Sequence, residues 1–176
     1  MKPGRPFVRT RVGGGRAQTS TNVPKLGICR RISYREFVPR SDEVEALLSA
    51  ARDVRMNAYA PYSRFFVGAA VLTEDGRIFT GVNVENSSYP VGICAEVNAL
   101  GSAVTAGAKG VVAVAVVTPP SSTGALGSPC GNCRQAIAEL ARPGCVVVLG
   151  SPDPDGTTET HTVAELLPHA FGPSSF

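Results

Sequence analysis

Cys130 and Cys133 are separated by two residues in Pro129-Cys130-Gly131-Asn132-Cys133, and Cys94 is followed by an acid in Cys94-Ala95-Glu96. A C-x2-C pair taken alone suits a redox couple or half of a structural zinc site equally well. A third thiolate changes the reading. Three protein ligands leave the fourth position of zinc open, the arrangement of a catalytic centre rather than a structural one. Zinc in such a centre lowers the pKa of water towards ~7, and a nearby carboxylate that is not a ligand can carry the proton. Glu96 is the carboxylate in place for that work; its plain alternative is an ordinary first-turn helix acid. The two motifs together are far more specific than either part.

To gather these thiols, two helix starts must point at one place. At a helix N-terminus the dipole and the free N–H groups favour thiolate, the metal-binding form. Periodicity predicts one helix over about 94–106, with Ala95, Ala99, Leu100, Ala103 and Val104 on one face. A second is expected over about 131–141, stopped by Pro143-Gly144. An earlier helix starts at Ser41, read as its N-cap with Asp42 and Glu43 in the first turn, and ends at about 57–60 before Pro61. Phe66 to Leu72 and Ile78 to Val84 read as a hairpin around Glu74-Asp75-Gly76. Val111 to Val117 and Cys145 to Leu149 read as strands buried on both faces. A short strand near 157–160 and a helical turn around Val163–Leu167 close the order. Helix, hairpin and two helix–strand units predict an α/β fold, a three-layer α/β/α with a mixed, about five-stranded sheet.

The chain has 176 residues, 43% hydrophobic and 18% charged, enough for one packed domain. Its net charge of +3 is divided unevenly. Residues 1–40 carry ten Lys and Arg against one acid, Glu36, whereas residues 41–176 carry seven against thirteen. The first segment, with Pro3, Pro6 and Gly13-Gly14-Gly15, reads as a disordered basic arm. Organellar transit is the second reading of that arm, disfavoured by its low serine content and its glycine run. Residues 41–176 are expected to form the folded domain. Their acidity disfavours nucleic acid as a partner, because phosphate contacts need Lys and Arg on the folded surface. The longest strongly apolar run, Val111 to Val117, is seven residues, against the ~20 a helix needs to cross a bilayer. With no secretory signal read in the arm, a cytoplasmic setting without membrane is expected. Five cysteines, an odd number, argue against a disulfide framework. Cys145 reads as a small core residue, and His161 and His169 as surface or cap residues.

From about Asn57 to Phe171 the sequence resembles the homotetrameric cytidine deaminases that act on free nucleosides. The resemblance rests on Tyr59-Ala60-Pro61-Tyr62-Ser63-Arg64-Phe65, Val67-Gly68-Ala69-Ala70, Asn83-Val84-Glu85-Asn86, Cys94-Ala95-Glu96, Pro129-Cys130-Gly131-Asn132-Cys133-Arg134-Gln135 and Leu166-Leu167-Pro168. It implies that Cys94, Cys130 and Cys133 bind one Zn2+ per subunit and that Glu96 shuttles protons. It also implies that Asn83 and Glu85 meet ribose hydroxyls and that Phe65 packs on the pyrimidine. The Ala95 backbone is expected at the base edge. Tyr89 and Phe171 are expected near a site shared between subunits.

One position departs from the family. Its Cys-Ala-Glu is often followed by an Arg that hydrogen-bonds ligand sulfur, and here that residue is Val97. Three thiolates on a divalent ion leave a negative centre, so Arg134, directly after Cys133, is expected to compensate. The function implied is hydrolysis of cytidine and 2'-deoxycytidine to uridine and deoxyuridine with release of ammonia, a step of pyrimidine salvage. Deamination of an antibiotic nucleoside such as blasticidin S is the alternative that Val97 leaves open. Nucleic-acid editing ranks below both, for such enzymes usually place His at the first ligand and line a basic aromatic groove. A zinc-stabilised binding module without catalysis is the non-enzymatic alternative, and it gives no reason for Glu96.

Overall fold

The computed structural model describes residues 39–172 and Ser175, so the expected basic arm lies almost wholly outside the described residues. Helix α1 spans Ser41–Arg55, with Asp42 and Glu43 in its first turn and Arg52 and Arg55 in its last. Each charge sits at the end the helix dipole favours. The cap is Arg40, not the expected Ser41. The Arg40 N–H donates to Glu43 Oε2 at 2.9 Å, so Glu43 reaches back over the helix start and Ser41 becomes the first helical residue.

Strands β1 (Gly68–Thr73) and β2 (Ile78–Val82) form the expected hairpin, each shorter than the sequence reading at the end nearest the thiol motifs. Val67 stays outside β1 because the Asn83 side chain takes its N–H at 2.9 Å. Helix α2 spans Ala95–Thr105 with Cys94 as its cap, β3 spans Val111–Val117, and α3 spans Gly131–Leu140 with Cys130 as its cap. A single 3-10 turn, Tyr89–Val91, was not expected; Pro90 stands near its start. Strand β4 runs Ala141–Gly150 and begins earlier than expected. Pro143-Gly144 does not separate helix from strand; it forms a bulge. The register against β3 jumps from Val111–Ala141 to Ala113–Val146, and Gly144 takes a φ of 84°. Strand β5 (Thr158–Thr162) and helix α4 (Val163–Leu166) follow, α4 being capped by Thr162 and Glu165.

The sheet order is β2-β1-β3-β4-β5, and only β3 and β4 run parallel. A parallel neighbour needs a crossover, and α3 supplies it. On one face α1 buries Leu47, Leu48 and Ala51 against Ala70, Leu72, Ala115 and Val117. On the other, Ala99, Leu100, Ala103 and Ile137 of α2 and α3 cover Val71, Val114, Val116 and Val147. These are the three layers the element order predicts. Gly81 sets the position of α2. A Cβ there would lie 2.3 Å from Ala99 N and 2.5 Å from Ala95 O, so helix and strand meet backbone to backbone. Asn98 Nδ2 donates to Val82 O at 3.1 Å and fixes the same contact. The place where α2 begins, and with it Cys94 and Glu96, follows from that fit.

Candidate active site

The caps of α2 and α3 face each other. Cys94 Sγ lies 3.9 Å from Cys130 Sγ, and Cys130 Sγ lies 3.6 Å from Cys133 Sγ. All three sulfurs fall within 4.8 Å of one another, and among the described residues no further His, Cys, Asp or Glu joins the group. Tetrahedral zinc with Zn–S of about 2.3 Å requires sulfurs about 3.8 Å apart. The spacing therefore fits that ion, and thiolates are the soft ligands it selects. Burial pushes the Cys133 thiol up, helped by the Glu96 and Cys94 charges, and burial likewise raises Cys94. Burial also opposes ionisation of Cys130, but hydrogen bonds from the Cys133 N–H and from its thiol neighbours outweigh it and lower that group. A metal entering the site must displace protons. Cys145 stands apart: it is buried and pushed up to about 12, as an inert core thiol should be.

Glu96, in the first turn of α2, is only 5% exposed. Burial holds its carboxyl above the usual range, partly offset by its own N–H and the Cys133 thiol. It lines a cavity of about 260 Å³ together with the three thiols, Ala95, Phe65 and Asn83. A neighbouring cavity of about 560 Å³ is lined by Tyr62, Ser63, Glu85 and Tyr89 and shares Asn83 and Cys94 with the first. The mouth is held by segments outside the main strands. Val84 bridges Tyr59 on one side and Ile93 on the other. Tyr59 N donates to Asn83 O at 3.0 Å and Glu85 N to Tyr59 O at 2.8 Å; Val84 and Ile93 exchange bonds of 2.9 and 3.0 Å.

Two side chains expected to meet ribose already hold the loop that carries Phe65. Asn83 Nδ2 donates to Phe65 O at 2.9 Å while its Oδ1 accepts the Val67 N–H. Glu85 accepts the Ser63 hydroxyl on Oε1, and on Oε2 the N–H groups of Tyr62 at 2.9 Å and Ser63 at 3.2 Å. The Ser63 hydroxyl, with those N–H groups, holds the Glu85 carboxyl below the usual range against the opposing effect of burial. Sequence reasoning singled out neither Ser63 nor Ser128, which lines the inner cavity. The only signal was their position within the quoted motif segment, or directly before Pro129.

Arg134 sits behind the thiols. It donates Nε to Pro129 O at 2.7 Å, Nη1 to Leu166 O at 2.8 Å and Nη2 to Ser128 Oγ at 3.0 Å. Among the described residues, none of these bonds reaches a sulfur. Val97 lines a groove on the outer side of α2 with Asn98, Gly101 and Ser102, not the thiol cavity. Tyr89, 82% exposed, lines the outer cavity; Phe171, 65% exposed, lines neither, and its carbonyl accepts Gln135 Nε2 at 2.9 Å.

A three-layer α/β/α fold whose facing helix caps gather three thiols beside a buried carboxylate defines a metal-site α/β protein. Residues 41–149 match the model of the cytidine and deoxycytidylate deaminase zinc-binding region. The chain is 46% identical over 129 residues to a cytidine deaminase of Sporosarcina psychrophila, covering 73% of this chain and 91% of that one. It superimposes on the cytidine deaminase of Burkholderia pseudomallei with a TM-score of 0.66 at 45% identity, covering 72% of this chain and 97% of that one. The cytidine deaminase of Mycobacterium tuberculosis gives a TM-score of 0.61 at 36% identity, over 73% and 97% of the two chains. The chain belongs to the cytidine and deoxycytidylate deaminase family, and its three-cysteine cluster is a zinc-binding site.

Proposed function

We propose that the protein is a zinc-dependent cytidine deaminase that converts cytidine and 2'-deoxycytidine to uridine and deoxyuridine, consuming water and releasing ammonia. The observation that carries this reading is the placement of Glu96: a buried carboxyl that shares its cavity with three thiols, an aromatic ring and an amide. Zinc, when bound by Cys94, Cys130 and Cys133, supplies a Lewis acid that lowers the pKa of water towards ~7. Glu96 takes the proton from the attacking water and delivers it to ring N3, which makes C4 electrophilic. It then carries a proton to the leaving amine, and ammonia departs. Burial raises the Glu96 carboxyl, the direction that eases its taking up a proton.

Phe65 offers a face for the pyrimidine ring, and the Ala95 backbone meets the base edge. Asn83, which lines both cavities, and Glu85, which lines the outer one, meet the sugar hydroxyls, Asn83 donating and Glu85 accepting. A site built to bond a hydroxyl rejects analogues that lack it, because its polar groups would be left unpaired. The large exposure of Tyr89 and Phe171 supports a homotetramer in which they meet neighbouring subunits. Among the described residues no helix is long and apolar enough to cross a membrane.

The test is ultraviolet absorbance on cytidine and deoxycytidine, with and without chelator, beside Glu96→Ala. Loss of signal in the variant and on chelation is expected. Zinc-loaded protein that leaves both nucleosides untouched but converts blasticidin S would overturn the reading in favour of an antibiotic substrate.

A further inference from the structure

We propose that Ser63 is a positioning residue that couples recognition of the sugar to the placement of the aromatic platform under the base. The inference rests on the reading that Glu85 and Asn83 meet sugar hydroxyls.

The Ser63 hydroxyl does two things at once. It donates to Glu85 Oε1, and it accepts the Phe65 N–H at 2.9 Å. A hydroxyl can serve as donor and acceptor together; an alanine can do neither. Phe65 is thus held from both backbone ends, its N–H by Ser63 and its carbonyl by Asn83 Nδ2 at 2.9 Å. The turn between these anchors needs holding. Arg64 takes a φ of 56°, the left-handed region that non-glycine residues seldom occupy, with its N–H on Ala60 O at 3.0 Å. Backbone of that kind persists where neighbours over-determine it.

Counting acceptors gives the link to the sugar. An ionised carboxylate has about four lone-pair sites. Ser63 Oγ and the N–H groups of Tyr62 and Ser63 occupy three on Glu85, leaving room for one further donor. Asn83 has used one N–H and one lone pair in the same way. A sugar hydroxyl entering here meets groups that are already holding the Phe65 loop. Removing the Ser63 oxygen frees one acceptor site on Glu85 and one N–H on Phe65, so sugar selection and ring placement loosen together.

The experiment compares wild type, Ser63→Ala and Ser63→Thr as full-length, zinc-loaded chains. Cytidine and 2',3'-dideoxycytidine are the paired substrates, with the exchange of the Phe65 amide measured by NMR without substrate. In Ser63→Ala, kcat/KM for cytidine falls about ten- to hundredfold, as expected for a lost bond to a charged group. The preference for cytidine over the dideoxy analogue collapses, zinc content stays at wild type, and the Phe65 amide exchanges faster. Ser63→Thr, which keeps the oxygen, recovers most of the preference. A Ser63→Ala protein that keeps the wild-type preference, whether both rates hold or fall alike, overturns the proposal, as does a Phe65 amide that exchanges equally in both. A wild type inactive on every cytosine nucleoside refutes the underlying reading instead, and the amide measurement then still decides the coupling within the loop.

Discussion

The Arg134 guanidinium donates to the Pro129 carbonyl at 2.7 Å, one residue before the ligand Cys130. The same group holds Ser128 and the end of α4 at Leu166, so one side chain ties the ligand loop, α3 and the C-terminal segment together. Arg134 is expected to offset thiolate charge, and its hydrogen bonds add a second task, holding the loop from which Cys130 projects.

Arg134→Ala should therefore speed zinc release more than Arg77→Ala, whose arginine serves the β1–β2 turn. Transfer of zinc to a chromogenic chelator measures this directly. Arg134→Lys should recover only part of the retention, because an ammonium is a single point of donation and cannot reproduce a planar three-way fork. Equal release from Arg134→Ala and Arg77→Ala would contradict the assignment.

Glu96→Gln should reduce kcat by about 10²–10⁴-fold, the usual loss for a general acid–base group. Zinc should stay at one per chain by metal analysis, because the ligand set is three sulfurs. Loss of metal along with activity would make Glu96 a structural part of the centre.

Gly81→Ala places a methyl group where the backbone of α2 already lies, 2.3 Å from Ala99 N. Overpacking costs about 1–3 kcal/mol where side chains can adjust, and here the obstacle is backbone. A lowered urea midpoint and a fall in activity are expected together, since α2 carries Cys94 and Glu96. An unchanged midpoint would mean that helix and strand can separate without strain.

Asp75 is held down to about 2 from its ordinary 3.8 by Arg77 first and by Thr73. A depressed acid stabilises the fold above its unfolded pKa, and that contribution fades as pH falls through the window from about 4 to about 2. Asp75→Asn should lower the urea midpoint modestly at pH 7, the pair being exposed. The gap to wild type should close as the pH approaches 2–3. A gap that stays constant or widens in acid would rule out this linkage.

Local pattern made much of the fold readable. Val111–Val117 is a buried strand over the same residues that its β-branched run marks. Pro143-Gly144 misled because the same dipeptide serves a helix end or a bulge, and which one it becomes depends on the β3 partner. The thiol cluster was legible because spacing and helix starts carry it. The ties from Glu85 to Ser63 and from Asn83 to Phe65 were not, because they join residues 22 and 18 positions apart in a loop without period. Phe171 reaches neither cavity in a single chain, and its expected role concerns neighbours that one sequence cannot position.

The bridge through Val84 bears on how firmly the mouth of the site keeps its shape. Tyr59, Asn83, Val84, Glu85 and Ile93 share four backbone bonds although none lies in a sheet strand. Each bond braces the next, so they release together as one cooperative unit rather than fraying singly. Their amides should show a common protection factor in hydrogen exchange, well above that of the exposed loop 121–125. The free energy of that shared opening sets how often Asn83 and Glu85 leave the positions from which they face the cavity.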